Sequence, residues 1–144
     1  MKKIELRTGF GVWEIAEVKE WVLKFTHLKS GESFILEASP SFPPCSASSL
    51  TAFAKTHNHK FPSITQLEIL RYLFYHGLSE WLSKERISFN IRLATYITDE
   101  VLEHTFYNPY GDDFIIKKFV CYNIADDDIK LVDGEKMLRY MIVR

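Results

Sequence analysis

Two cysteines, no long apolar run and no excess of charge of either sign mark what this 144-residue sequence does without. With only Cys45 and Cys121, a multi-bridge disulfide framework is excluded. One bridge remains open, and two unrelated buried thiols are the favoured reading. No stretch approaches the roughly 20 apolar residues of a membrane-spanning helix. The basic start Met1-Lys2-Lys3 is not followed by the apolar segment of a signal peptide, so the expectation is a cytoplasmic protein with no membrane span. Lysine and arginine number 18 against 19 acidic residues, a net charge of -1, which gives no electrostatic case for a nucleic-acid partner. Gly9-Phe10-Gly11 lacks the rest of any phosphate-binding fingerprint. Internal repeats, low-complexity tracts and linkers are missing as well, and residues 1–144 are expected to form a single domain.

What is abundant is apolar and aromatic: 47% of residues are hydrophobic and 15% are Phe, Trp or Tyr, so large rings are expected to dominate the core. The best-specified stretch is His59–Leu70. Ser63 followed by Gln66 is the S-x-x-Q form of the capping box and predicts a helix from about Ile64. Ile64, Leu67, Leu70, Leu73 and Phe74 make its apolar stripe, and Gly77 sits where a left-handed C-cap would end it. A second short helix carrying Leu78, Trp81 and Leu82 is expected after the bend. Upstream, Ser46 or Ser48 predicts the cap of a helix running to about His57, closed by Asn58.

Elsewhere the spacing is that of strands. Residues 2–7 alternate, Val12–Glu20 fits either helix or strand, and Trp21–His27 with Ser33–Glu37 reads as a hairpin in which Gly31 supplies positive φ. Pro40, Pro43 and Pro44 make residues 39–46 a loop. Ile87–Tyr96 alternates as a half-wet strand, Thr98–Val101 predicts a helical turn, Asn108–Asp113 a turn, and Phe114–Ile124 a long strand. Asp133-Gly134 predicts a tight hairpin between Ile129–Val132 and Lys136–Val143, so that three consecutive antiparallel strands close the chain. Strands, then two main helices, then strands is the α+β order, with the helices packed on a mostly antiparallel sheet.

Lys60-Phe61-Pro62-Ser63-Ile64-Thr65-Gln66-Leu67 resembles the W-R-L-P-T-x-x-E-L signature of the major paralogous domain named after Fibrobacter succinogenes, a family related to the C-terminal domain of the Legionella collagen-like adhesin. Phe119–Ile124 is similar to that family's penultimate strand, and Leu138–Arg144 to its terminal Y-V-R-P-V-R strand. The resemblance covers about residues 46–144, with Leu93-Ala94-Thr95-Tyr96 in place of the family's W-S-S-T. It implies a C-type-lectin-like fold.

Among candidate sites, the aromatic surplus carries furthest. Phe106, Tyr107, Asn108 and Tyr110 form an aromatic loop suited to contact with a protein or glycan, because such rings combine area with a polar handle. Core packing is the competing account of most of the chain's rings. Asp126, Asp127 and Asp128, with Asp112 and Asp113 upstream, offer oxygen ligands for calcium. However, Asn108-Pro109 lacks the glutamate of the lectin E-P-N motif, and aspartates in turns are solvated anyway. His57 and His59 could share zinc, but no second spaced pair exists, and a polar helix C-terminus is the favoured account of them. Cys45 in its proline loop and Cys121 in a strand would each need a histidine base to act as nucleophiles. The leading expectation is therefore a non-enzymatic binding module with no cofactor and no catalytic residue, acting through loops around residues 104–113 and 125–128. A small immunity- or inhibitor-type protein that neutralises a partner is the alternative, and an enzyme using Cys45 or His57/His59 the third.

Overall fold

Alternating side chains build the first half of the protein into a meander. In a computed structural model that describes residues 2–144, β1 (Lys3–Thr8), β2 (Gly11–Lys19), β3 (Val22–His27) and β4 (Ser33–Glu37) pair antiparallel in sequence order. The last strand, β10 (Ile142–Val143), adds beside β4. Register puts Ile15, Phe25 and Phe34 in one row across the sheet, with Phe25 and Phe34 stacked at 5.0 Å. The stretch from Val12 that fits either state is thus a strand. Pairing with β1 on one side and β3 on the other decides what its own periodicity leaves open.

Helix α2 (Ile64–Leu73) lies on this row. Its capping box is complete: the Ser63 backbone N–H donates to Gln66 Oε1 (3.0 Å) and the Gln66 N–H donates to Ser63 Oγ (3.1 Å). Leu67, Leu70 and Leu73 are buried against the sheet, joined by Trp81 and Leu82 of α3 (Ser79–Lys84). Between the two helices, Phe74–Leu78 forms one wider π-type turn, kinked at His76 and Gly77, and the φ of Gly77 is 126°. The backbone conformation favours glycine there, and a Cβ would stand 2.9 Å from Leu6 Cδ2, which would have to move aside. Gly77→Ala is expected to cost about 1–3 kcal/mol in urea denaturation. Gly9→Ala, where φ is not positive and the nearest atom is at 3.6 Å, should stay within about 1 kcal/mol.

The second sheet is a meander of β6 (Thr95–Phe106), β7 (Phe114–Asn123) and β8 (Asp128–Val132). Its base divides two cores. Tyr96 and Tyr122 enter the core under α2, whereas Ile97, Phe119 and Cys121 enter a smaller one with Leu50 and Ala54 of α1 (Ala47–His57). Helix α1 is capped by Ser46, whose side chain accepts from the Ser49 N–H, and closed by Asn58 in the left-handed region.

Three sequence expectations need correction. Ile87–Tyr96 does not form a ladder strand until Thr95. Residues 87–92 carry no ladder, and their hydrogen bonds go to the residues flanking β3 and β4, Trp21 N–H to the Ser88 carbonyl and Asn90 N–H to the Ala38 carbonyl. Thr98–Val101 is not a helical turn but an irregularity inside β6, where pairing with β7 skips from Ile97 to Val101. There the Thr98 hydroxyl donates to the Val120 carbonyl and accepts from the Glu100 N–H. Asp133-Gly134 does not turn a hairpin. After β8 the chain leaves the sheet, β9 (Met137–Leu138) pairs with the short β5 (Cys45–Ser46) of the proline loop, and β10 joins the first sheet. The Gly134 and Lys136 carbonyls instead accept the Ser48 and Ala47 N–H groups at the start of α1. A Cβ at Gly134 would lie 2.0 Å from Ser48 Oγ. The glycine permits that close approach.

Candidate binding surfaces

Beyond residue 100 the β6–β7 hairpin runs out past both cores as an arm. Its burial changes from buried to exposed along both strands. Because directly paired residues share a face, the register places Leu102, Phe106, Phe114 and Ile116 on one side, together with Ile129 and Leu131 of β8. All six are exposed apolar side chains, and Phe106 stacks on Phe114 at 5.0 Å. The other face carries the Glu103–Lys117 ion pair (3.3 Å) and Thr105, with Val101 and Ile115 exposed beside them. β6 and β8 are the edge strands of this sheet. The arm is therefore amphipathic, with its apolar side uncovered among the described residues.

The predicted aromatic loop sits at the arm's tip. Tyr107 and Tyr110 are 81% and 98% exposed, which removes them from any core role. Asn108 makes the turn: its Oδ1 accepts the Tyr110 N–H, while its own N–H donates to Asp113 Oδ1, both at 3.0 Å. Phe106 belongs to the apolar face just below. The aspartate turn lies at the opposite end of β7, a ten-residue strand spanning roughly 30 Å, so the two loops do not form one surface.

The other candidates are dispersed. Asp126 donates its N–H to Asn123 Oδ1, the Asp127 carboxylate accepts the Tyr122 hydroxyl, and Asp128 begins β8. His57 and His59 are stacked at 5.9 Å beside Phe53, and His57 Nδ1 is 3.0 Å from the Phe53 carbonyl, which leaves that nitrogen engaged at the helix end. Among the described residues no group of three or more His, Cys, Asp or Glu side chains is placed to hold a metal ion. Both cysteines are free. Cys45 is half-buried, and its thiol donates to the Pro43 carbonyl (3.4 Å) rather than to an imidazole.

Cys121 is fully buried at the base of β7, and burial pushes its thiol up to about 11 from an ordinary 9.0. This thiol is inert in the folded protein and linked to stability. Its folded pKa is raised, so the native state holds a proton that the unfolded state releases first. Its contribution is present below pH 9 and is lost as the pH rises towards 11. Alkaline denaturation should show a fall of on the order of 1–3 kcal/mol across that window attributable to this group, and Cys121→Ala should flatten that part of the slope. Tyr122, Tyr96 and Tyr140 are also shifted upward, chiefly by burial, and add to the loss at higher pH.

A second concave feature, which sequence reasoning missed, opens beside α2. It is a cleft of about 350 Å³ walled by Phe10, Trp13, Ile69 and Tyr72, with Glu68 and Asp127 exposed at its rim. At its base Tyr122 donates to Asp127. That carboxylate and burial together hold the phenol well above the usual tyrosine range, burial being the larger cause. The lining comes from three distant segments, so no local motif announces it. The one signal is Phe10, an exposed ring in a Gly-Phe-Gly turn. Comparisons of the chain with protein-family models, characterised proteins and solved structures return no match.

Proposed function

We propose that this chain is a non-enzymatic binding module that takes a protein partner on the apolar face of the β6–β7 arm. One observation carries the reading: four exposed apolar side chains share one face of a projecting hairpin, and Ile129 and Leu131 extend that face along β8 at its base, in a sheet with open edges. A glycan partner is less well served, because sugar hydroxyls need polar groups and this face offers only His104 and Lys118 among its paired positions. The narrow arm also suits the version in which the partner is neutralised by filling its groove, as an immunity- or inhibitor-type protein does.

The C-type-lectin-like reading of the fold stays part of this proposal. Two features support it: the α+β arrangement of two main helices on antiparallel sheets, and the contact of the signature segment with the terminal strand, where the Val143 N–H donates to the Lys60 carbonyl (2.8 Å). The function is tested by capture from lysate of the source cells with tagged native chain and with Leu102→Asp/Ile116→Asp. A stoichiometric protein retained by the native chain and lost by the variant supports the proposal. Glycan binding that survives the double substitution would overturn it.

A further inference from the structure

We propose that the cleft between α2 and the turns at residues 8–11 and 124–128 is a binding site for a small aromatic amine, independent of the arm. Its volume of about 350 Å³ falls within the range of small-molecule sites. The walls are aromatic and already in place. Trp13 is nearly buried, and Phe10 meets Tyr72 edge-on at 5.3 Å.

Phe10 is 71% exposed, yet the turn beneath it is fixed. Its N–H donates to Thr8 Oγ1 (3.1 Å), and its carbonyl accepts from His27 Nε2 (3.2 Å). The ring is thus held at the cleft mouth at little further entropic cost on binding.

Charge selects the ligand class. Among the described residues neither Glu68 nor Asp127 takes part in an ion pair. Arg71, the one cation of the lining, keeps its charge beside the cleft but is held by Nε donating to the Ile124 carbonyl (2.7 Å) and by its guanidinium lying 5.0 Å from the Tyr75 ring centre, so the lining carries two carboxylates against one cation. Glu68, and the part of the Asp127 carboxylate not taken by the Tyr122 hydroxyl, offer acceptors at the rim of an aromatic-walled cleft, so an ammonium group is attracted both through charge-assisted hydrogen bonds and through the ring quadrupoles. The rest of the ligand is a ring that packs in the cleft against the wall made by Phe10, Trp13 and Tyr72.

The test is calorimetric titration of the full chain with phenethylamine, with phenylacetate as the anionic counterpart and butylamine as the ringless one. Phenethylamine should bind saturably and at least about tenfold more tightly than either. Glu68→Gln and Phe10→Ala, both at exposed positions, should each weaken it about five- to tenfold while leaving the unfolding midpoint in place. Equal binding of phenylacetate overturns the ligand class. The absence of saturable binding, or native-like binding by both variants, overturns the site.

Discussion

Replacing Leu70 by alanine is expected to remove about 2–5 kcal/mol of stability. Leu70 is fully buried in the core that α2 and α3 form with the first sheet and with Tyr96 and Tyr122 of the second. Its neighbours are held by two sheets and cannot collapse into the space left behind, which is the condition for a large cavity cost. A chain of this size has only about 5–15 kcal/mol in total, so the variant should denature at markedly lower urea with an unchanged slope. Ile69→Ala, next in sequence but half-buried at the cleft, should cost clearly less. Because the same strands, β6 and β7, supply side chains both to this core and to the one beneath α1, tryptophan fluorescence and far-UV circular dichroism should still report one transition. A loss below about 1 kcal/mol would mean that α2 is not the centre of the packing.

How much of this was legible depends on whether the physical cause was local. Ser63 and Gln66 satisfy each other's backbone within one turn, so the helix start can be read from four residues. The same holds for Asn58 and for Gly77, whose special φ values belong to the residue itself. Alternation says less. Ile87–Asn90 alternates because Ile87 and Phe89 are buried while Ser88 and Asn90 are not, and nothing in that pattern requires a ladder partner. Thr98 uses its hydroxyl on the Glu100 N–H much as an N-cap would, which is why an irregular strand reads as the start of a helix. Asp133-Gly134 has the composition of a hairpin turn, but the approach of α1 to Gly134 is a tertiary fact.

The candidate sites follow the same division. Tyr107, Asn108 and Tyr110 were readable because a turn rich in aromatic residues has no core to enter. Phe114, Ile116, Ile129 and Leu131 were not, since their strands look apolar whether or not a layer covers them. The cleft residues Phe10, Trp13, Glu68 and Tyr72 meet only through the packing of α2 against the meander and remain invisible to any local window.

That uncovered face gives the second large effect. Leu102→Asp/Ile116→Asp should weaken partner binding by at least two orders of magnitude, since central apolar anchors contribute about 2 kcal/mol or more each. Stability should change by no more than about 1 kcal/mol, because both side chains are exposed and lie beyond the cores. Neither residue takes part in the Phe106–Phe114 stack, and Leu102 pairs with Lys118, so the new carboxylate meets a favourable neighbour. With the tip tyrosines included, the face offers roughly 800 Å², close to one partner's share of a standard interface. Tyr107→Ala/Tyr110→Ala should therefore weaken binding as well, again with an unchanged melting temperature. Glu103→Gln, on the opposite face, should leave binding intact while breaking the ion pair with Lys117, a surface pair contributing at most about 1 kcal/mol. If Glu103→Gln weakens binding as much as the double aspartate variant does, the partner reads the edge or the charge of the arm rather than its apolar face. If the double variant instead unfolds, the arm is packed in solution, and the six side chains are core of an assembly rather than a surface awaiting a partner.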